Sequence, residues 1–230
     1  PTRSILPLRS GAPVISPSPT RTRSRLSFLV AGMLCIGILA MFLFFLFFRR
    51  VNLDEGWYLG AAKLVYTGKT LYRDFAYTQT PLLPYVYGLL QPILGLGLYQ
   101  GRLLTVLLGV LAWLLSARSA YRVAGWWAAL GCLGLLATSF FAAAQYTYTA
   151  TYALTACLMA AAIDSSLRPW PQRRLTIMAA GLMSLAVTVR LSTIVVLPVF
   201  LLYLVLRSKQ RWATLLWGVV TMVVTLGVVL

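Results

Sequence analysis

The stretch Pro81-Leu82-Leu83-Pro84-Tyr85-Val86-Tyr87-Gly88-Leu89-Leu90-Gln91-Pro92-Ile93-Leu94-Gly95-Leu96 decides how this chain is threaded. It is apolar, but shorter than the roughly 20 residues that cross a bilayer. Pro81, Pro84 and Pro92 also remove backbone donors that a continuous spanning helix would need. The basic clusters arbitrate. They are the tail arginines (Arg3, Arg9, Arg21, Arg23, Arg25), then Arg118/Arg122, Arg168/Arg173/Arg174 and Arg207/Lys209/Arg211. If 81–96 crosses, the last three clusters lie opposite the tail. If it does not, all four share one side. The positive-inside rule favours the second threading and makes 81–96 a juxtamembrane or re-entrant helix.

Composition sets the class around that stretch. Hydrophobic residues make up 60% of the 230 and charged residues 10%, whereas soluble domains keep roughly a quarter of their residues charged. The reading is all-α: a polytopic transmembrane helix bundle. With 81–96 kept out of the count there are about seven spans, near 26–48, 99–117, 126–144, 148–166, 175–190, 191–206 and 212–230. The net charge of +16 does not indicate nucleic acid, because the arginines sit in short clusters between apolar runs, as topology signals do. The chain has no His, which excludes His-based catalysis and His metal sites. Cys35, Cys132 and Cys157 lie inside apolar runs without CxxC spacing, and buried helical thiols are expected.

Residues 1–25 are rich in Pro, Ser and Arg and read as a disordered, basic, cytoplasmic tail. Residues 26–230 form the transmembrane domain. Within it, 49–98 becomes an extracytoplasmic loop with two juxtamembrane helices. Trp57, Ala61, Leu64 and Val65 recur at helical spacing in the first of these, and Gly68 is placed to end it.

The chain holds four carboxylates against twenty Lys and Arg. Asp54 and Glu55 are adjacent in that loop. Asn52-x-x-Glu55 has capping-box spacing, and Asp54 in the first turn suits the helix dipole. A dipole that keeps Asp54 ionised also keeps it usable as a general base. Arg102 and Arg190 border apolar helices, where a cation either snorkels or serves a polar cavity. Lys69 and Arg73 read first as solvated loop charges. Asp164 stands four residues before Arg168, as a local ion pair does. Tyr146, Tyr148 and Tyr152 suit an interfacial aromatic belt or the lining of a sugar site.

Three segments together resemble a known family: Asp54-Glu55-Gly56-Trp57-Tyr58, Gly68-Lys69-Thr70-Leu71-Tyr72-Arg73-Asp74-Phe75, and Gln79-Thr80-Pro81-Leu82-Leu83-Pro84-Tyr85. They are similar to the first outer loop of C-fold membrane glycosyltransferases. They more closely resemble the family 39 branch of protein O-mannosyltransferases, aminoarabinose transferases and their bacterial relatives. Gly101-Arg102-Leu103-Leu104 resembles the start of that family's second span, and Ala180–Leu206, centred on Thr188-Val189-Arg190, a later helix pair. The likeness covers about residues 27–210 and implies the family's N-terminal part only, since its members carry more spans.

The resemblance implies an integral protein of a bacterial inner membrane with its N-terminus cytoplasmic. It implies a polyprenyl-phosphate sugar donor, an acceptor on the outer face and inversion at the anomeric carbon. Carried over by position, Asp54 is the base and Glu55 a supporting acid. Arg102, Arg190, Lys69 and Arg73 are lipid-phosphate candidates, and Asp74, Gln79, Tyr146 and Tyr148 candidate lining residues. No metal ligand is assigned, and a divalent metal is left open. Gln79-Thr80 replaces a Lys that several members carry before the proline, so one phosphate contact differs. The rival reading is a non-catalytic scaffold subunit held among other membrane subunits. A transporter would need two related halves, and the sequence has no internal symmetry.

Overall fold

The computed structural model describes residues 21–95, 97–138 and 148–230. These residues build helices joined by short connections: α1 (Arg21–Phe48), α2 (Leu53–Tyr66), α3 (Leu82–Leu94), α4 (Leu98–Thr138), α5 (Thr151–Ser166), α6 (Gln172–Val189), a 3-10 turn (Leu191–Val195), α7 (Val196–Arg207) and α8 (Arg211–Val229). Three of the helices, α1, α4 and α8, are long and apolar enough to cross a membrane. Helix α1 begins at Arg21, inside the segment expected to be tail.

Helix α3 has 13 residues, which at 1.5 Å each gives about 20 Å, well short of the ~30 Å hydrocarbon layer. It lies against α2 rather than standing alone. A Cβ on Gly88 would sit 2.9 Å from the Ala62 carbonyl oxygen, so the hairpin closes only with glycine there. Leu83 and Tyr87 of α3 and Ala62 of α2 share a core with Leu104, Leu154 and Val189. The opposite face of α3 leaves Tyr85, Leu89 and Ile93 exposed.

The break expected between residues 117 and 126 falls at the end of that interval. Helix α4 runs through Arg118 and Arg122, good helix formers, and breaks at Ala124–Gly125, where Gly125 takes φ +76°. Glycine supplies that left-handed conformation without a Cβ clash.

Helix α5 is the central element, packed against both α4 and α6. Its alanines, with Ala179 and Ala180 of α6, let backbones approach closely, as small residues do in lipid-embedded bundles. Phe42 of α1 meets Trp113 of α4 with ring centroids 4.8 Å apart. A second core joins α5 through α8 around Met183, Phe200 and Met222. The thiol expectation needs correcting: only Cys157 is buried. Cys35 faces outward from α1 and Cys132 is half-buried, because membrane helices turn apolar faces to lipid and burial in protein is not required of them.

Candidate functional site

Helix α2 starts where Asn52 caps it, its Oδ1 accepting the Asp54 N–H at 3.2 Å. Only half of the expected capping box forms, because the Glu55 carboxylate is engaged elsewhere. Adjacent helical residues point about 100° apart, so the two acids separate. Asp54 stays exposed, while Glu55 is fully buried.

Glu55 meets Arg102 from the first turn of α4. Arg102 Nε and Nη2 donate to Glu55 Oε1 and Oε2, both at 2.8 Å. Arg102 Nη1 donates to the carbonyls of Leu46 and Arg49, each at 3.1 Å. The Thr149 N–H adds a contact to Glu55 Oε1 at 3.3 Å. One ion pair thus ties the end of α1, the start of α2, the start of α4 and the strand of chain before α5. Close packing supports it: a Cβ on Gly101 would run into Leu59 and Thr149. Arg102 is 1% exposed, so in this structure it faces Glu55 and not the cleft.

Asp54 lines a polar cleft of about 300 Å³ together with Tyr58, Gln79, Tyr148, Tyr152 and Arg190. Tyr58 is one helical turn beyond Asp54 and shares its face. Arg190 comes from the junction of α6 and the 3-10 turn. Its N–H bonds to Ala186 O at 3.1 Å, and its carbonyl accepts from the Thr193 N–H at 3.0 Å. Its guanidinium lies 4.5 Å from the centre of the Tyr152 ring and donates from Nε to Ser192 Oγ at 3.0 Å. Arg49 lies 4.3 Å from the Tyr148 ring centre. Both are cation–π distances.

Burial raises the Tyr58 phenol, with Asp54 raising it further and Arg190 pulling it back. Asp54 and Arg190 therefore act on one phenol from opposite sides. The cleft presents a carboxylate acceptor, a guanidinium donor and phenol hydroxyls on aromatic walls.

Lys69, Arg73 and Asp74 fall outside the cleft. After α2 the chain turns at Gly68 (φ +85°), with Lys69 N–H bonding Leu64 O and Gly68 N–H bonding Val65 O, each at 3.0 Å, the pattern of a Schellman cap. Lys69 is exposed in the following loop. Arg73 pairs with its neighbour Asp74 at 3.0 Å, and Asp74 Oδ2 also accepts the Thr70 N–H at 2.7 Å. Those bonds hold the Asp74 carboxyl down at about 2. Arg73 and Asp74 thus shape the loop that presents Gln79, whose carbonyl accepts the Tyr72 hydroxyl at 2.6 Å. Tyr146 lies outside the described residues. Tyr152, read from sequence as an aromatic-belt or sugar-site residue, lines the cleft, while Tyr58 and Ser192 join it without having been assigned to it from sequence. For Tyr58 the spacing from Asp54 carried the signal. Ser192 gave none, because its position depends on the turn after Arg190.

Among the described residues no three His, Cys, Asp or Glu stand together as a metal-holding group. A divalent ion here would have Asp54 as its carboxylate among the described lining residues and would draw most of its other ligands from water, as Mg²⁺ commonly does. No family model, curated protein or solved structure matches the chain.

Proposed function

We propose that the chain is a glycosyltransferase that moves a sugar from a polyprenyl-phosphate carrier to an acceptor outside the cytoplasm. The observation that carries this is the cleft that sets the exposed Asp54 carboxylate and the Arg190 guanidinium between tyrosine walls. An acceptor hydroxyl attacks the anomeric carbon and passes its proton to Asp54. The bond from that carbon to the phosphate oxygen breaks, and the configuration inverts. The polyprenyl phosphate leaves with its charge against Arg190, a charge-assisted contact. Tyr148, Tyr152 and Gln79 hold the sugar by ring contact and hydrogen bonds. Glu55 and Arg102 position Asp54 by fixing the first turn of α2.

In the same reading the bundle has about seven spans with a cytoplasmic N-terminus, and α2 and α3 lie at the outer surface of a bacterial inner membrane. Two features support that orientation. Three of the four carboxylates in the chain, Asp54, Glu55 and Asp74, belong to 49–98. Arg118, Arg122 and Arg168 gather on Asp164, roughly 18 Å along α5 from Tyr152. The test is turnover: the full chain in liposomes is given a radiolabelled polyprenyl-phosphate hexose and a pool of hydroxyl acceptors. Release of polyprenyl phosphate with label on acceptor supports the reading. If the donor stays intact across acceptor classes and the chain is found only in a stable complex of membrane subunits, the scaffold reading replaces it.

A further inference from the structure

Asp164 stands in the last turn of α5, at the end of that helix away from the cleft, and is fully buried. Three guanidiniums converge on it. Arg168 donates from Nε and Nη2 to Oδ2 at 3.1 and 2.9 Å. Arg122 Nη1 is 3.4 Å and Arg118 Nε 3.6 Å from Oδ1. Arg122 Nη1 also donates to the Asp164 carbonyl at 3.2 Å. One carboxylate neutralises one arginine, so two positive charges are left over. These charges reach the surface: the Arg118, Arg122 and Arg168 side chains are 53%, 23% and 30% exposed, while the carboxylate behind them is sealed. A buried anion that holds several arginines by their inner edges leaves the outer edges in place for a second anion, with little side-chain entropy left to lose.

The surroundings say which anion. Leu107, Leu111 and Leu114 are all exposed on α4, and their spacing puts them in one stripe that leads to Arg118. From Leu107 to Arg118 the rise is about 16 Å, close to the ~15 Å depth of one hydrocarbon leaflet. A free phosphate has no use for that stripe, and an acyl chain does. The neighbouring cations lie on aromatic rings, as at a membrane–water boundary: Arg168 and Arg174 at 4.7 and 4.8 Å from the Trp170 ring centre, and Arg173 at 3.9 Å from that of Trp217.

We propose that Arg118, Arg122 and Arg168, held by Asp164, form a binding site for the phosphate of an anionic phospholipid whose acyl chain lies along the Leu107–Leu111–Leu114 stripe. The site is independent of the cleft and of any transfer reaction. Arg168 anchors the carboxylate, and Arg118 and Arg122 present the free charge.

The test uses the full chain purified in neutral detergent. Phosphatidylglycerol, phosphatidylcholine and inorganic phosphate are compared by bound-lipid mass and by thermal unfolding. Phosphatidylglycerol is expected to bind and raise the unfolding temperature, with phosphatidylcholine and inorganic phosphate much weaker. R118Q/R122Q is expected to lower phosphatidylglycerol affinity by on the order of tenfold or more, and R118K/R122K to keep most of it. If the double glutamine variant does not fold, R118Q alone serves, because Arg122 and Arg168 still pair Asp164; its affinity must fall. The proposal is overturned by equal effects of the two lipids, by inorganic phosphate matching the anionic lipid, or by undiminished lipid binding in the glutamine variants.

Discussion

Arg102 closes a two-pronged ion pair on Glu55, with both N–O distances at 2.8 Å and both side chains buried. The remaining Arg102 nitrogen holds carbonyls at the end of α1. The pair is therefore the joint on which the first turn of α2, and with it Asp54, is mounted. Removing one partner leaves the other as an uncompensated buried charge, which costs about 3–5 kcal/mol, whereas replacing both by apolar residues is often nearly neutral. R102L is expected to lose about that much stability and E55L/R102L to regain most of it, as read by thermal unfolding in detergent. An R102L protein as stable as the parent would show that the joint is not needed for the fold.

Arg190 and the loop cations should separate cleanly in kinetics. Arg190 lines the cleft, while Lys69 is exposed in the loop and Arg73 is paired with Asp74. Losing a charge-assisted hydrogen bond to a leaving phosphate is worth about 1.5–3 kcal/mol, or roughly 10- to 100-fold in kcat/KM. R190A is expected to fall by that factor, and K69A and R73A to stay within about twofold, since surface charges contribute little. A large loss in K69A with none in R190A would move the phosphate to the loop.

Gly88 makes a packing claim that can be checked apart from function. An added Cβ would press on the Ala62 carbonyl at 2.9 Å and on Val65 at 3.3 Å, and backbone cannot swing aside as a flexible side chain can. G88V is expected to cost about 1–3 kcal/mol and to loosen the α2–α3 hairpin, raising hydrogen exchange in α3. A silent G88V would mean that the two helices are not this close.

The loop ahead of α3 should be acid-resistant. The Arg73 hydrogen bond, then the Thr70 N–H, hold the Asp74 carboxyl at about 2 against its ordinary 3.8. A depressed carboxyl pKa contributes order that is complete above the unfolded value and lost as pH falls through the folded one. Exchange protection of the Thr70 and Tyr72 amides is expected to hold at pH 5 and to drain between about pH 4 and 2, with D74N lacking this step. Protection lost already near pH 6 would mean another group orders the loop.

The shortness of α3 was legible because proline carries it. The prolines and length of 81–96 marked a short helix, and α3 has 13 residues. Local rules reached less far at the acids. Capping-box spacing read Asn52 correctly, but it could not reveal that Glu55 bonds a residue 47 positions away. For the same reason Arg102 looked available to a ligand: a border cation reads identically whether it faces a cavity or a buried acid. The break in α4 falls inside the interval expected from sequence, at Gly125 rather than at the arginines, because arginines mark topology and not helix ends. Asp164 was read as a pair with Arg168, and the pair is there, but Arg118 and Arg122 reach it from another helix that spacing could not bring near.

Asp54→Asn tests the central claim most directly. The substitution keeps the size of the side chain and its place in the exposed first turn of α2, and removes only the proton acceptor. Parent and variant are compared in liposomes for binding of a polyprenyl-phosphate sugar and for transfer at saturating donor. The account expects donor binding within a few-fold of the parent and transfer lower by about 100-fold or more, the scale on which a general base contributes. Full transfer activity in the variant would contradict it.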